Sequence, residues 1–184
     1  FYTIYPQMEK VDQFKKYAFV TVGTTKFEEL IRAVDDSAFH ISLQKLGYDS
    51  LIIQIGAGSY EPSTSSSDRR LPCQFYKFKD SLHHDMANAS MIISHAGAGS
   101  IMGALELKKR LLVVVNERLM DNHQVELAEA LESRGHLTAT TPGKIVEALF
   151  TCHEADASPY EEPNLDLFPQ LLDEELGFNN TNNS

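Results

Sequence analysis

An α/β domain with a parallel sheet covered by helices on both faces is the architecture this sequence predicts. Three observations carry the expectation. Short apolar runs alternate with segments whose apolar residues recur at helical spacing. The runs are aliphatic throughout rather than alternating with polar residues, so both faces of each strand are to be buried. Glycines such as Gly23, Gly47, Gly56 and Gly135 punctuate the joints. A length of 184 residues fits one ordinary domain with a short tail.

Residues 1–16 read as a poorly ordered N-terminal leader, with Met8 a candidate natural start and no secretory signal. Tyr17–Val22 is β-branched and aromatic, a strand ending at Gly23. Phe27, Leu30, Ile31 and Val34 fall on one helix face, and Phe39 to Leu46 is a second helix or its continuation. Leu51–Ile55 is the next strand. Residues 59–72, rich in Ser and Pro, predict a mobile surface loop. Gln74–Phe78 reads as a third strand, followed by a helix carrying Leu82, Met86 and Ala89. Met91–Ser94 and Leu111–Val115 are strands, and a helix between them starts near Gly99 with Ile101, Met102 and Leu105 inward. Val125, Leu127, Ala128 and Leu131 line a further helix. His136–Thr140 is a last strand, and Pro142 opens a helix with Ile145, Val146 and Leu149 on its face. The domain is thus expected over 17–150, with an acidic linker from 151 to 163. Leu165, Phe168, Leu172 and Leu176 then space a C-terminal amphipathic helix, which either packs back on its own domain or docks on a partner chain.

Charge narrows the function classes. The net charge is −10, unevenly spread. Residues 1–144 hold all 16 Lys and Arg against 17 Asp and Glu, while residues 145–184 hold nine acids and no base. A near-neutral body without a basic stripe argues against nucleic acid. The longest aliphatic run, Leu111–Val115, is far short of the roughly 20 residues that span a bilayer. The two cysteines, Cys73 and Cys152, exclude a disulfide-dense scaffold and a four-cysteine zinc site. The seven His show no metal spacing, and no metal or resident cofactor is expected.

Three segments carry chemistry. Ile92-Ile-Ser-His-Ala-Gly-Ala-Gly-Ser100 joins a strand to a helix through a turn of small residues. Such a turn lets backbone N–H groups and the helix dipole meet a phosphate, or it only permits close strand–helix packing. His95 at the strand end is a structural hydrogen-bonding residue or the candidate catalytic group. Val22-Gly-Thr-Thr-Lys-Phe27 is a second strand–helix turn, with Thr24 or Thr25 as helix cap or ligand contact. In Asn116-Glu-Arg-Leu-Met-Asp-Asn-His-Gln124, Asp121 or Asn122 serves as a cap or reads sugar hydroxyls, and Gln124 has no evident capping role. Neither a Gly-x-Gly-x-x-Gly fingerprint nor a P-loop is present.

These segments, with Phe19-Val-Thr-Val-Gly-Thr-Thr25, Leu51-Ile-Ile-Gln-Ile-Gly56 and Tyr76-Lys-Phe-Lys-Asp-Ser-Leu82, resemble the Alg13 family over residues 17–150. That family is the small catalytic subunit of the eukaryotic N-acetylglucosaminyltransferase that makes dolichyl-diphosphate chitobiose. The resemblance implies a Rossmann-like sheet, the C-terminal half of a GT-B glycosyltransferase. It implies transfer from UDP-N-acetylglucosamine, a substrate, to dolichyl-diphosphate-N-acetylglucosamine, a lipid-linked acceptor of N-glycosylation. A cytoplasmic chain would be recruited to the endoplasmic reticulum by a membrane-anchored Alg14-like partner, through the helix near Leu165–Leu176. Carried over by position, His95, Ala96, Gly97, Ala98, Gly99 and Ser100 would hold the diphosphate. Gly23 and Thr24 would lie near the leaving group, and Asn122, His123 and Gln124 would contact the donor sugar. Related motifs place an acid eight residues after the His, where this chain has Gly103; Glu106, one helical turn on, is the expected substitute. Arg110 stands where the family tends to have Pro.

Overall fold

The computed structural model describes residues 16–65, 67, 70–116 and 122–155, with the helical backbone alone for 122–124. Six parallel strands form one sheet in the order β3-β2-β1-β4-β5-β6. They are β1 (Tyr17–Thr21), β2 (Ser50–Gln54), β3 (Cys73–Tyr76), β4 (Met91–His95), β5 (Leu111–Val114) and β6 (Thr138–Thr140). The helices are α1 (Glu28–Val34), α2 (Ser37–Lys45), α3 (His83–Asn88), α4 (Ala98–Glu106), α5 (Asn122–Ser133) and α6 (Ile145–Glu154).

The uniformly aliphatic strands find their partners on both sides. On one face Ala18, Val20, Leu51, Ile53, Ile93 and Leu112 pack with Leu30, Ile31, Phe39, Leu43 and Leu149 of α1, α2 and α6. On the other, Phe19, Ile52, Ile92 and Val113 meet Met86, Ile101, Leu105, Ala128 and Leu131 of α3, α4 and α5. Alternate residues of each strand therefore serve alternate cores, as the period of two requires.

Several boundaries differ from those the sequence predicts. Helix α1 ends after Val34 and Asp36 caps a separate helix, its carboxylate accepting from Ala38 N at 2.8 Å. The helix α1 begins only at Glu28, with Phe27 before it and no side-chain cap. Thr25 instead turns back to donate to the Val22 carbonyl at 2.9 Å, and Thr24 is exposed. The strand β3 stops at Tyr76, so Phe78 leaves the sheet. In the Ser/Pro-rich segment, Tyr60, Ser63, Arg70 and Leu71 are tied down rather than free. Asp35 accepts from Tyr60 Oη at 2.6 Å, from Ser63 N at 3.1 Å and from the Arg70 guanidinium, while His40 Nδ1 accepts from Leu71 N at 3.2 Å. The last helix, α6, runs past position 150 to Glu154, with Cys152 buried. The proposed tail helix at 165–176, the leader up to residue 15 and the linker from 156 lie outside the described residues.

Candidate nucleotide-diphosphate site

The strand order reverses between β1 and β4: β2 and β3 lie on one side of β1, and the chain then crosses to build β4, β5 and β6 on the other. In open parallel sheets this switch point, at the carboxyl ends of the strands, is where the turns part and leave a crevice. The two turns singled out from the sequence meet there. One follows β1 and carries Gly23; the other follows β4 and carries His95 to Ser100.

Gly23 adopts a φ of +60°, a left-handed conformation that favours glycine. A Cβ on Gly23 would stand 2.8 Å from His95 Cε1 and 3.7 Å from Ser100 Oγ. A Cβ on Gly97 would come within 2.2 Å of His95 Nε2. The imidazole is therefore wedged between two glycine backbones, and the two turns are in contact through it. His95 is only 8% exposed, and its Nδ1 has no hydrogen-bond partner among the described residues. Burial pushes its pKa below the usual histidine value, with the Thr21 carbonyl pulling the other way, so the ring is neutral near pH 7.

Ala96 is fully buried behind the turn. Gly97 caps α4 with extended backbone and no capping side chain. Its carbonyl accepts from Ser100 N at 3.0 Å and Ile101 N at 3.1 Å. Ala98 and Gly99 stand ahead of the first intrahelical donors, so their N–H groups are left for a ligand or solvent. Gly99 is exposed, and a Cβ there would meet nothing within 4 Å, which keeps the approach open. A helix N-terminus with free donors and its positive dipole end suits an anion, and the Ser100 hydroxyl stands between it and the Gly23 turn, 3.7 Å from where a Gly23 Cβ would lie.

Two features at this edge escape sequence reasoning. Gln54 at the end of β2 is 1% exposed and links the turns that follow β1 and β3. Its Oε1 accepts from Thr21 Oγ1 at 2.6 Å and Val22 N at 3.2 Å; its Nε2 donates to the carbonyls of Gly23 and Lys77, each at 2.7 Å. A lone amide inside the aliphatic run Leu51–Ile55 is the signal that marks it. Beyond β3, Phe78 is 57% exposed on the same edge. Its loop is anchored by the buried Asp85 carboxylate, which accepts from Tyr76 Oη and from Lys79 Nζ at 2.6 Å. Tyr17 Oη adds a bond to the Asp85 carbonyl at 2.7 Å.

The other expected residues are placed differently. Asn122, His123 and Gln124 open α5, which follows β5, so they lie on the same edge of the sheet; their side chains, and Asp121, are outside the described residues. Glu106 is not brought to the turn. It is the exposed last residue of α4, about 12 Å along the helix from Ala98 at 1.5 Å per residue. Gly103 is half-buried, and a Cβ there would meet Met86 Cε of α3 at 3.3 Å.

The chain matches the glycosyltransferase family 28 C-terminal domain over residues 17–168. It is 32% identical over 162 residues to the UDP-N-acetylglucosamine transferase subunit ALG13 of Yarrowia lipolytica, covering 86% of this chain and 83% of that protein. It is 43% identical over 151 residues to the human subunit of the same name, covering 77% of this chain but only 13% of the human protein. The chain thus spans about an eighth of that longer relative. An NMR solution structure of ALG13 superposes with a TM-score of 0.57 at 27% identity, covering 82% of this chain and 89% of that one. Acinetobacter baumannii MurG, at 17% identity, shares the fold with a TM-score of 0.56, covering 88% of this chain and 51% of that enzyme. Fold, family model and relatives agree, and the chain belongs to the ALG13 subunit family within the glycosyltransferase family 28 C-terminal domains.

Proposed function

We propose that this chain is the donor-binding, catalytic subunit of an N-acetylglucosaminyltransferase. It moves N-acetylglucosamine from UDP-N-acetylglucosamine to dolichyl-diphosphate-N-acetylglucosamine, with inversion, to a β1,4 link. This is the second step of lipid-linked oligosaccharide assembly for N-glycosylation. The observation that carries the reading is the meeting of the Gly23 turn and the α4 N-terminus around buried His95 at the switch point. In the transfer, the acceptor 4-hydroxyl attacks the anomeric carbon as the bond to UDP breaks, and the hydroxyl proton passes to a base. Charge builds on the departing β-phosphate, where the N–H groups of Ala98 and Gly99 and the helix dipole stabilise it. His95 is neutral but walled in by Gly23 and Gly97. It supports the turn, and we assign the general base to the partner subunit.

The relatives' name, a transferase subunit, supports a split enzyme. Among the described residues no helix is long and apolar enough to cross a membrane. We propose as partner an Alg14-like membrane-anchored subunit, docked through Leu165–Leu176, which recruits the chain from the cytoplasm to the cytosolic face of the endoplasmic reticulum and supplies the lipid-linked acceptor.

A second reading rests on Gly103: a weakly active or regulatory nucleotide-sugar-binding module, since α4 offers no carboxylate between its N-terminus and Glu106. The test is transfer of labelled N-acetylglucosamine to a phytanyl-diphosphate-N-acetylglucosamine acceptor, by this chain alone and with the co-expressed partner. Transfer only with the partner bears out the split enzyme. Pairing without transfer, restored by Gly103→Glu, favours the second reading. No transfer and no donor binding refutes both.

A further inference from the structure

We infer that Gln54 is a positioning residue that holds the two halves of the donor crevice in one arrangement, an inference that rests on the nucleotide-sugar reading above. Its partners fix the orientation of its amide. A backbone N–H and a hydroxyl face the oxygen, and two carbonyls face the nitrogen. The strand pairing explains the reach: Gln54 stands between Thr21 of β1 and Tyr76 of β3, at the carboxyl end of all three strands.

Through this one side chain both backbone groups of Gly23 are held. The Gly23 carbonyl accepts from Gln54 Nε2, and the Gly23 N–H donates to Thr21 Oγ1 at 3.1 Å, which in turn donates to Gln54 Oε1. Gly23 is the residue packed against His95 and near Ser100, so the network sets one wall of the anion turn. The second Nε2 bond goes to Lys77 O, the root of the loop that presents Phe78 and is anchored by Asp85. The diphosphate side and the β3 side of the crevice are thus joined through one buried amide. Without it, the Gly23 and Lys77 carbonyls lose their shared donor and the turns sample other arrangements. Apparent affinity then falls with the competent fraction: a drop to about one tenth raises the dissociation constant about tenfold.

The test uses the full 184-residue chain and UDP as the probe, by titration calorimetry well below each variant's melting temperature. Gln54→Met keeps the volume and removes the amide. Thr21→Val removes only the hydroxyl link, and Thr21→Ser restores it. We expect Gln54→Met and Thr21→Val each to weaken UDP about tenfold, with Thr21→Ser within about twofold of wild type, and the double variant no weaker than the worse single one, because both act through one network. A role confined to stability would lower the melting temperature and leave the dissociation constant of the folded chain unchanged. Thr21→Val binding UDP as wild type does, with Gln54→Met the same or unfolded, overturns the inference. Failure of the wild-type chain itself to bind UDP refutes the nucleotide reading instead, and the positioning role falls with it.

Discussion

Replacing Gly97 by Ala adds one methyl group directly against the buried His95 ring. The backbone there, φ −80° and ψ 126°, suits any residue, so the change carries no conformational strain of its own. The new Cβ would lie 2.2 Å from His95 Nε2 and 2.7 Å from Cε1. An ordinary contact starts near 3.4 Å, so the imidazole or the turn must retreat by about 1.2 Å. The ring has little room, since the Gly23 backbone closes its other side and the site is buried. Overpacking of this kind costs about 1–3 kcal/mol. For a chain of this size that lowers the melting temperature by about 2–12 °C. Thermal unfolding by circular dichroism reads the stability, and calorimetry with UDP reads the turn. In a His95→Ala background the same Gly97→Ala change should cost far less, because the three nearest atoms to the added methyl all belong to that ring. A melting temperature within about 1 °C of wild type for Gly97→Ala alone would refute the wedged-histidine geometry.

Three further outcomes follow from burial. Burial holds His40 and His95 below the usual histidine pKa, so the unfolded chain takes up protons near pH 6.5 before the folded chain does. Their contribution is complete above that pH and is lost as pH falls below it, by up to about 1.4 kcal/mol per group and pH unit. Urea titrations at pH 7.0 and 5.5 should show this loss, reduced in His40→Gln, and an unchanged stability would contradict it. Burial also lifts the Cys73 thiol to about 12 and that of Cys152 to about 11. At pH 8 the folded chain should release almost no thionitrobenzoate from Ellman's reagent, and the guanidinium-unfolded chain two equivalents. Ending the chain after Phe150 removes buried Cys152 and the last turn of α6. This should cost about 1–3 kcal/mol by denaturant titration, and no loss would restore the boundary at 150.

The sheet was legible because strands buried on both faces leave no polar alternation; Phe19-Val20 and Ile92-Ile93 can pack only between two helical layers. The Gly-rich turn was legible because small residues at a strand–helix joint have few other uses. The limits were those of register and reach. Phe78 completes an apparent strand pattern, but pairing with β2 ends at Tyr76 opposite Gln54. Glu106 shares a face with Gly103, yet a helix carries it away from the anion end by its own rise. Thr24 and Thr25 look like caps, but the turn tightens onto Val22 first and α1 starts three residues later. Gln54 and Asp85 act through partners 23 to 33 and 6 to 68 residues distant, respectively, and only the folded topology brings those together.

The most direct test of the central claim is where UDP touches the chain. In amide nitrogen–proton correlation spectra of the full chain, titration with UDP should shift Gly23, Gly97, Ala98, Gly99 and Ser100 together, with one dissociation constant. Shifts confined to other surfaces, or none at millimolar UDP, would contradict a donor site at the β1–β4 switch point.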